Sequence, residues 1–217
     1  MISKLQFITQ DTNGFTHARS AEAACIAGVK WVQLRVKNQS EAAWLAIAQE
    51  TMRVCQKYNV KLLINDNVTV ALAVGAHGVH LGSEDMSPIE ARKLLGNDAI
   101  IGGTANTFND ILQLEKAGVD YIGLGPYRFT ASKEKLSPTL GLEGYTTIMQ
   151  ECQEASIKTP VIAIGGIIAS DVEKIMETGV YGIAVASAIN MAQDKAAIVH
   201  FMNEKINKSN ELQQQNN

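Results

Sequence analysis

Short apolar runs of β type alternate with amphipathic runs from one end of this 217-residue chain to the other, the pattern of a parallel sheet wrapped by helices. Eight runs read as strands: Leu5 to Thr9, Trp31 to Val36, Val60 to Asn65, Gly78 to Leu81, Ile100 to Gly103, Tyr121 to Gly125, Val161 to Gly165 and Gly182 to Ala186. Helical segments fill every gap. The second is the clearest, with Ser40 placed to cap it, Glu41 in its first turn, and Trp44, Ile47, Ala48, Cys55 and Tyr58 supplying an apolar stripe. Ser87-Pro88, Asn109-Asp110 and Ser170-Asp171 mark further helix starts. A weak internal echo closes four helices on glycine just before a strand, at Gly28, Gly75, Gly118 and Gly179.

Eight sequential βα units can close into a barrel or lie open as a doubly wound sheet. So many strands in so few residues favour a single (β/α)8 TIM barrel, and no Gly-x-Gly-x-x-Gly turn follows the first strand to support a Rossmann reading. The expected catalytic barrel spans residues 1–207. Residues 208–217 are polar and aperiodic and are expected to form a disordered tail.

An apolar fraction of 46% with 19% charged residues is that of an ordinary globular chain, and a net charge of -3 argues against a nucleic-acid partner. Met1 to Gln10 lacks the features of a signal peptide, and no apolar run is long enough to span a bilayer, so no membrane partner and a cytoplasmic location are expected. Cys25, Cys55 and Cys152 are far apart in helix-like segments and read as reduced core thiols. The sequence leaves oligomeric state open, a homo-oligomer included.

Along a barrel strand, side chains alternate between the helices and the interior. In the second strand Val32, Leu34 and Val36 suit the helix layer, which turns Gln33, Arg35 and Lys37 inward. Buried without partners these groups would cost roughly several kcal/mol each, so they belong near an open mouth or beside an anionic partner. The same parity places Gly123, Gly125, Ala163, Gly165, Ala184 and Ala186 inward, and Ile122, Leu124, Ile162, Ile164, Ile183 and Val185 against helices. Small residues opposite long polar ones imply an unfilled volume at the carboxyl-terminal mouth.

Gly165-Gly166 after the seventh strand and Ala186-Ser187 after the eighth stand where barrels commonly hold phosphate with backbone N–H groups, although a double glycine is also a common turn. Asn65-Asp66 ends the third strand and Asp85 follows the fourth, so two carboxylates could meet at the rim, and Mg2+ commonly binds one or two carboxylates plus substrate phosphates and waters. Helix capping by Asp66 and a turn role for Asp85 are the plainer alternatives. His80 has inward parity and reads more readily as a hydrogen-bonded wall residue than as a base. After the sixth strand, Thr130, Ser132 and Lys133 bring two hydroxyls and a cation suited to a diphosphate leaving group.

These motifs, in this order, resemble the thiamine phosphate synthase family over nearly the whole chain: Gln33-Leu34-Arg35-Val36-Lys37, Leu63-Ile64-Asn65-Asp66, Gly78-Val79-His80-Leu81-Gly82 with Asp85, Gly123-Leu124-Gly125-Pro126 leading to Thr130-Ala131-Ser132-Lys133, and Ala163-Ile164-Gly165-Gly166-Ile167. The resemblance implies coupling of hydroxymethylpyrimidine diphosphate to hydroxyethylthiazole phosphate, with release of diphosphate. It implies that Asp66 and Asp85 hold Mg2+, that Arg35, Lys37, Asn65 and Lys133 bind diphosphate, and that Gln33 and Thr104 contact the pyrimidine. Thr130, Ser132, Gly166, Ala186 and Ser187 would lie beside the thiazole phosphate. The chain departs from the family pattern with Ser132 for threonine, Thr104 for serine, and Arg128-Phe129 for phenylalanine-proline in the loop after the sixth strand.

Two rivals stand beside this reading. A thiazole tautomerase of the related branch would need a proton-transfer histidine after the sixth-strand glycine, where this chain has Pro126. A non-catalytic barrel that binds a phosphorylated metabolite would need no paired carboxylates.

Overall fold

A computed structural model describes residues 2–11, 14–129 and 138–215, with side chains of the last helix as far as Lys208. Eight parallel strands, β1 (Leu5–Ile8), β2 (Trp31–Leu34), β3 (Lys61–Asn65), β4 (Gly78–Leu81), β5 (Ile100–Ala105), β6 (Tyr121–Leu124), β7 (Val161–Ile164) and β8 (Gly182–Val185), pair in chain order. The ring closes where β8 pairs with β1 in the register Leu5 to Ile183 and Phe7 to Val185. The expected (β/α)8 barrel is therefore the fold.

Helices cover the outside: α1 (His17–Ile26), α2 (Glu41–Lys57), α3 (Val68–Val74), α4 (Pro88–Leu95), α5 (Phe108–Ala117), α6 (Gly141–Glu154), α7 (Val172–Glu177), α8 (Ser187–Asn190) and α9 (Lys195–Gln215). Local chemistry sets their starts. Ser40 accepts a hydrogen bond from the Ala43 N–H, and Ser87 with Glu90 forms a reciprocal capping box around Pro88. Gly75 and Gly118 close α3 and α5 in the left-handed region, at φ 65° and 72°.

Some boundaries differ from the sequence reading. α5 starts at Phe108 under a Thr107 cap, because the Asp110 carboxylate reaches back to the N–H groups of Asn106 and Thr107, each at 2.9 Å. Asp110 is thus the third helical residue of a capping box and not a cap. Ser170-Asp171 lies in a single 3-10 turn, Ala169–Asp171, that leads into α7. The backbone of α9 continues as helix past Asn207 to Gln215.

Two apolar layers follow from strand parity. Val32, Leu34, Ile122, Leu124, Ile183 and Val185 join the large core between strands and helices, as expected. A smaller inner cluster of Ile8, Trp31, Leu63, Tyr121, Ile162 and Ala184 fills the barrel itself. On β7 the sequence reading is inverted. Ile162 and Ile164 face the interior, while Ala163 lies in the outer core. The register explains this, since Ile162 pairs with the inward-facing Gly123 and so shares its face of the sheet. In a strand that is apolar at every position, parity alone has no polar residue to orient it.

Among the described residues no helix is long and apolar enough to cross a membrane. The three cysteines are free and buried.

Candidate active site

A cavity of about 520 Å3 opens at the carboxyl-terminal ends of the strands, where barrels of this kind carry their chemistry. Of the residues singled out from the sequence, Gln33, Arg35, Asn65, Asp66, Thr104, Gly166, Ala186 and Ser187 line it. Asp85 stands just behind the wall, where its Oδ2 accepts a hydrogen bond of 2.6 Å from the N–H of Gly82, itself a lining residue. Lys37 has the inward parity of β2 but lies beyond the strand's last paired residue, and its side chain is exposed and not among the lining residues. Thr130, Ser132 and Lys133 lie outside the described residues.

The acidic pair is the electrostatic centre of the rim. Asp66 sits directly after β3 with φ 66°, its N–H bonded to the His80 carbonyl at 2.8 Å, which ties it to β4. Burial pushes its carboxyl up to about 7, and the charge of Asp85 and a hydrogen bond with it push the same way, against the opposing pull of Arg35. The Asp66 carboxyl therefore keeps a proton up to about neutral pH. Arg35 is half-buried; burial lowers its pKa, and the Asp66 charge works in the opposite direction. Its backbone N–H bonds to Thr9 Oγ1 at 3.2 Å, fixing the end of β2 against β1. Two oxygen ligands from adjacent strands, beside a cation that can take the remaining charge of a polyphosphate, could hold a divalent ion such as Mg2+, which commonly binds one or two carboxylates plus phosphate oxygens. Among the described residues no group of three or more His, Cys, Asp or Glu side chains offers an all-protein metal cage.

Across the mouth lies the turn after β7. Gly165 and Gly166 take φ values of 100° and 69°, and a Cβ on Gly165 would lie 2.6 Å from Cβ of Pro126. Only glycine fits there, and its bare backbone is exposed to a ligand. Arg128, noted in the sequence only as a departure in the loop, braces this turn. Its Nη1 donates to the Gly166 carbonyl at 2.7 Å and to Asp171 Oδ2 at 2.6 Å, while its guanidinium lies 4.9 Å from the centre of the Tyr127 ring. The signal for that bracing was split between two segments 43 residues apart, so no local pattern carried it. Ala186 and Ser187, at the start of α8, complete this side.

His80 is a wall residue, as expected, held by Tyr121 Oη on Nδ1 and by Thr104 Oγ1 on Nε2, each at 2.9 Å. Tyr121 and Gln6, which bond to each other at 3.3 Å, escaped the sequence reading. Parity could have found Tyr121, which lies two residues before the inward-facing Gly123.

The thiamine monophosphate synthase family (TMP-TENI) matches residues 5–189. A thiamine-phosphate synthase from Flavobacterium johnsoniae is 47% identical over 206 residues, covering 95% of this chain and 97% of that one. One from Bacteroides fragilis is 49% identical over 190 residues, covering 88% and 93%. Among solved structures, a thiamine phosphate pyrophosphorylase from Pyrococcus furiosus superposes with a TM-score of 0.81 at 32% identity, over 95% of this chain and 96% of that one. The family match runs from the first barrel strand into α8, through every strand that contributes to the cavity, and the chain belongs to the thiamine monophosphate synthase family.

Proposed function

We propose that this barrel is a thiamine phosphate synthase, a transferase that couples hydroxymethylpyrimidine diphosphate to hydroxyethylthiazole phosphate and releases diphosphate. The observation that carries the reading is one cavity with two polar ends on opposite sides of its mouth. Arg35 and the Asp66–Asp85 pair stand at the ends of β2, β3 and β4, and the glycine turn and Ser187 stand at the ends of β7 and β8.

In the reaction, the bond between the pyrimidine's exocyclic methylene carbon and the diphosphate oxygen breaks, and its electron pair leaves with the diphosphate. The thiazole nitrogen lone pair then forms the new carbon–nitrogen bond, so no side-chain nucleophile is needed. Arg35 and Lys133, with Lys37 nearer solvent, neutralise the departing diphosphate, and the Asn65 amide donates a hydrogen bond to it. Mg2+ held by Asp66 and Asp85 would supply the remaining positive charge. Gln33 and Thr104 orient the pyrimidine. Thr130, Ser132, Gly166, Ala186 and Ser187 hold the thiazole phosphate so that its ring nitrogen faces the reacting carbon. Ile8, Ile164 and Ile167 give the cavity an apolar wall that keeps water from an electron-poor pyrimidine carbon. Both substrates are small phosphorylated molecules, and a cytoplasmic setting goes with this reading.

Purified protein given Mg2+ and both substrates is expected to form thiamine phosphate and diphosphate in equal amounts. Tautomerisation of the thiazole without coupling would replace this reading with a tautomerase, and binding without turnover would replace it with a sensor.

A further inference from the structure

Beneath the cavity one hydrogen-bonded chain crosses the barrel interior. Gln33 Nε2 donates to Gln6 Oε1 at 3.3 Å, and Gln6 Nε2 donates to Tyr121 Oη at 3.3 Å. Tyr121 Oη meets His80 Nδ1, and His80 Nε2 meets Thr104 Oγ1, each at 2.9 Å. Gln6 and Gln33 are each 1% exposed and Tyr121 is 0% exposed, so solvent does not compete for these groups. The fold makes room for the phenol: a Cβ on Gly102 would lie 2.2 Å from the Tyr121 ring.

The chain has a direction. A phenol has one hydrogen to give and lone pairs to accept. Gln6 brings a donor to the Tyr121 oxygen. The phenol hydrogen is then left for His80 Nδ1. An imidazole nitrogen that accepts a hydrogen bond carries no hydrogen, so a neutral His80 carries its hydrogen on Nε2 and gives it to Thr104 Oγ1. With that lone pair engaged, the Thr104 hydroxyl is free to give its own hydrogen to the cavity it lines. At the other end Gln33 turns its amide nitrogen into the chain, and the chain does not use its carbonyl oxygen.

We propose that Tyr121 is a positioning residue for substrate choice. By holding His80 in the Nε2–H tautomer it makes Thr104 a donor and Gln33 an acceptor. That pair selects a heterocycle with an exocyclic amine beside an unprotonated ring nitrogen over one with a carbonyl beside a ring N–H. The inference rests on the proposed function only in placing the pyrimidine at this end of the cavity. A site whose buried groups are matched to one donor and acceptor pattern leaves them unpaired with the reversed pattern, and such mismatches discriminate strongly.

Nitrogen NMR of the full-length protein labelled in histidine reads the tautomer whether or not the protein is active. The expected spectrum has an unprotonated Nδ1 and a protonated Nε2 for His80, and mixed tautomers in Tyr121→Phe. Calorimetry with hydroxymethylpyrimidine and its 4-oxo analogue should give the wild type a preference for the amine of at least ~tenfold, falling below ~threefold in Tyr121→Phe, while the KM for thiazole phosphate stays within ~twofold. Thr104→Ser should keep the preference and Thr104→Val should lose it. Gln6→Leu, which frees the phenol oxygen, should reproduce the loss if Tyr121→Phe folds poorly. A wild-type His80 protonated on Nδ1, or a Tyr121→Phe protein with undiminished preference for the amine, overturns the proposal. Failure of the coupling assay with the tautomer and preference intact would instead strike the proposed function.

Discussion

Arg128 grips Asp171 with both ends of its guanidinium, Nη1 lying 2.6 Å from Oδ2 and Nη2 3.0 Å from Oδ1. Burial works against the Asp171 carboxylate, but hydrogen bonds from Arg128 and from the Ile168 N–H outweigh it and hold the group below the usual carboxylate range. Because Nη1 also holds the Gly166 carbonyl, this pair ties the segment after β6 to the turn after β7.

Arg128→Met should therefore loosen the thiazole-phosphate side alone. A partly exposed bidentate pair contributes on the order of 1 kcal/mol, roughly fivefold in binding. Steady-state kinetics should show the KM for thiazole phosphate rising by about that factor, with the KM for pyrimidine diphosphate unchanged. An equal rise in both would mean that the pair supports the barrel and not the turn.

The Asp66–Asp85 pair should make metal binding and pH interdependent. The folded pKa of Asp66, about 7, lies above its ordinary value, so the stability this group contributes is fully present in acid and is lost as pH rises through that value. Mg2+ bound here would need the Asp66 carboxylate and would displace its proton. In thermal melts, the gain in Tm from saturating Mg2+ should be larger at about pH 8 than at about pH 6, and it should vanish in Asp66→Asn. A gain independent of pH would place the ion elsewhere.

Arg35→Ala, Asp66→Ala and Lys133→Ala should each lower turnover by at least about tenfold, the scale of ~1.4 kcal/mol in the barrier. Lys37→Ala should cost less than Arg35→Ala, since Lys37 is exposed and outside the cavity lining. Diphosphate release by the four variants under one set of conditions ranks them directly.

Ile162→Ala removes a fully buried side chain from the inner cluster opposite Gly123. Loss of about 2–5 kcal/mol in urea unfolding is expected, the usual range for such a truncation.

Much of this site was legible in the chain because barrel strands translate parity into direction. Gln33 and Arg35 could be placed inward from their neighbours Val32 and Leu34, and the ends of β3, β7 and β8 could be read as rim. The reading failed where contrast was missing. Ile162, Ala163 and Ile164 form an all-apolar run, and only the pairing with Gly123 decides which of them enters the barrel. It also failed where one group depends on a distant one. Arg128 and Asp171, or Gln6 and Tyr121, meet only after the sheet has closed, and no spacing along the chain joins them.

Trp31 packs edge-on against Tyr121, ring centres 4.8 Å apart, with no exposure and no acceptor for its indole N–H among the described residues. The floor of the barrel thus carries its own chromophore, shielded from quenching by water and in contact with the phenol that orients His80. The other tryptophan of the chain, Trp44, lies on α2 in the outer core. Replacing Trp44 with phenylalanine would leave Trp31 as the single tryptophan emitter, reporting from the barrel interior beside Tyr121 without any added label.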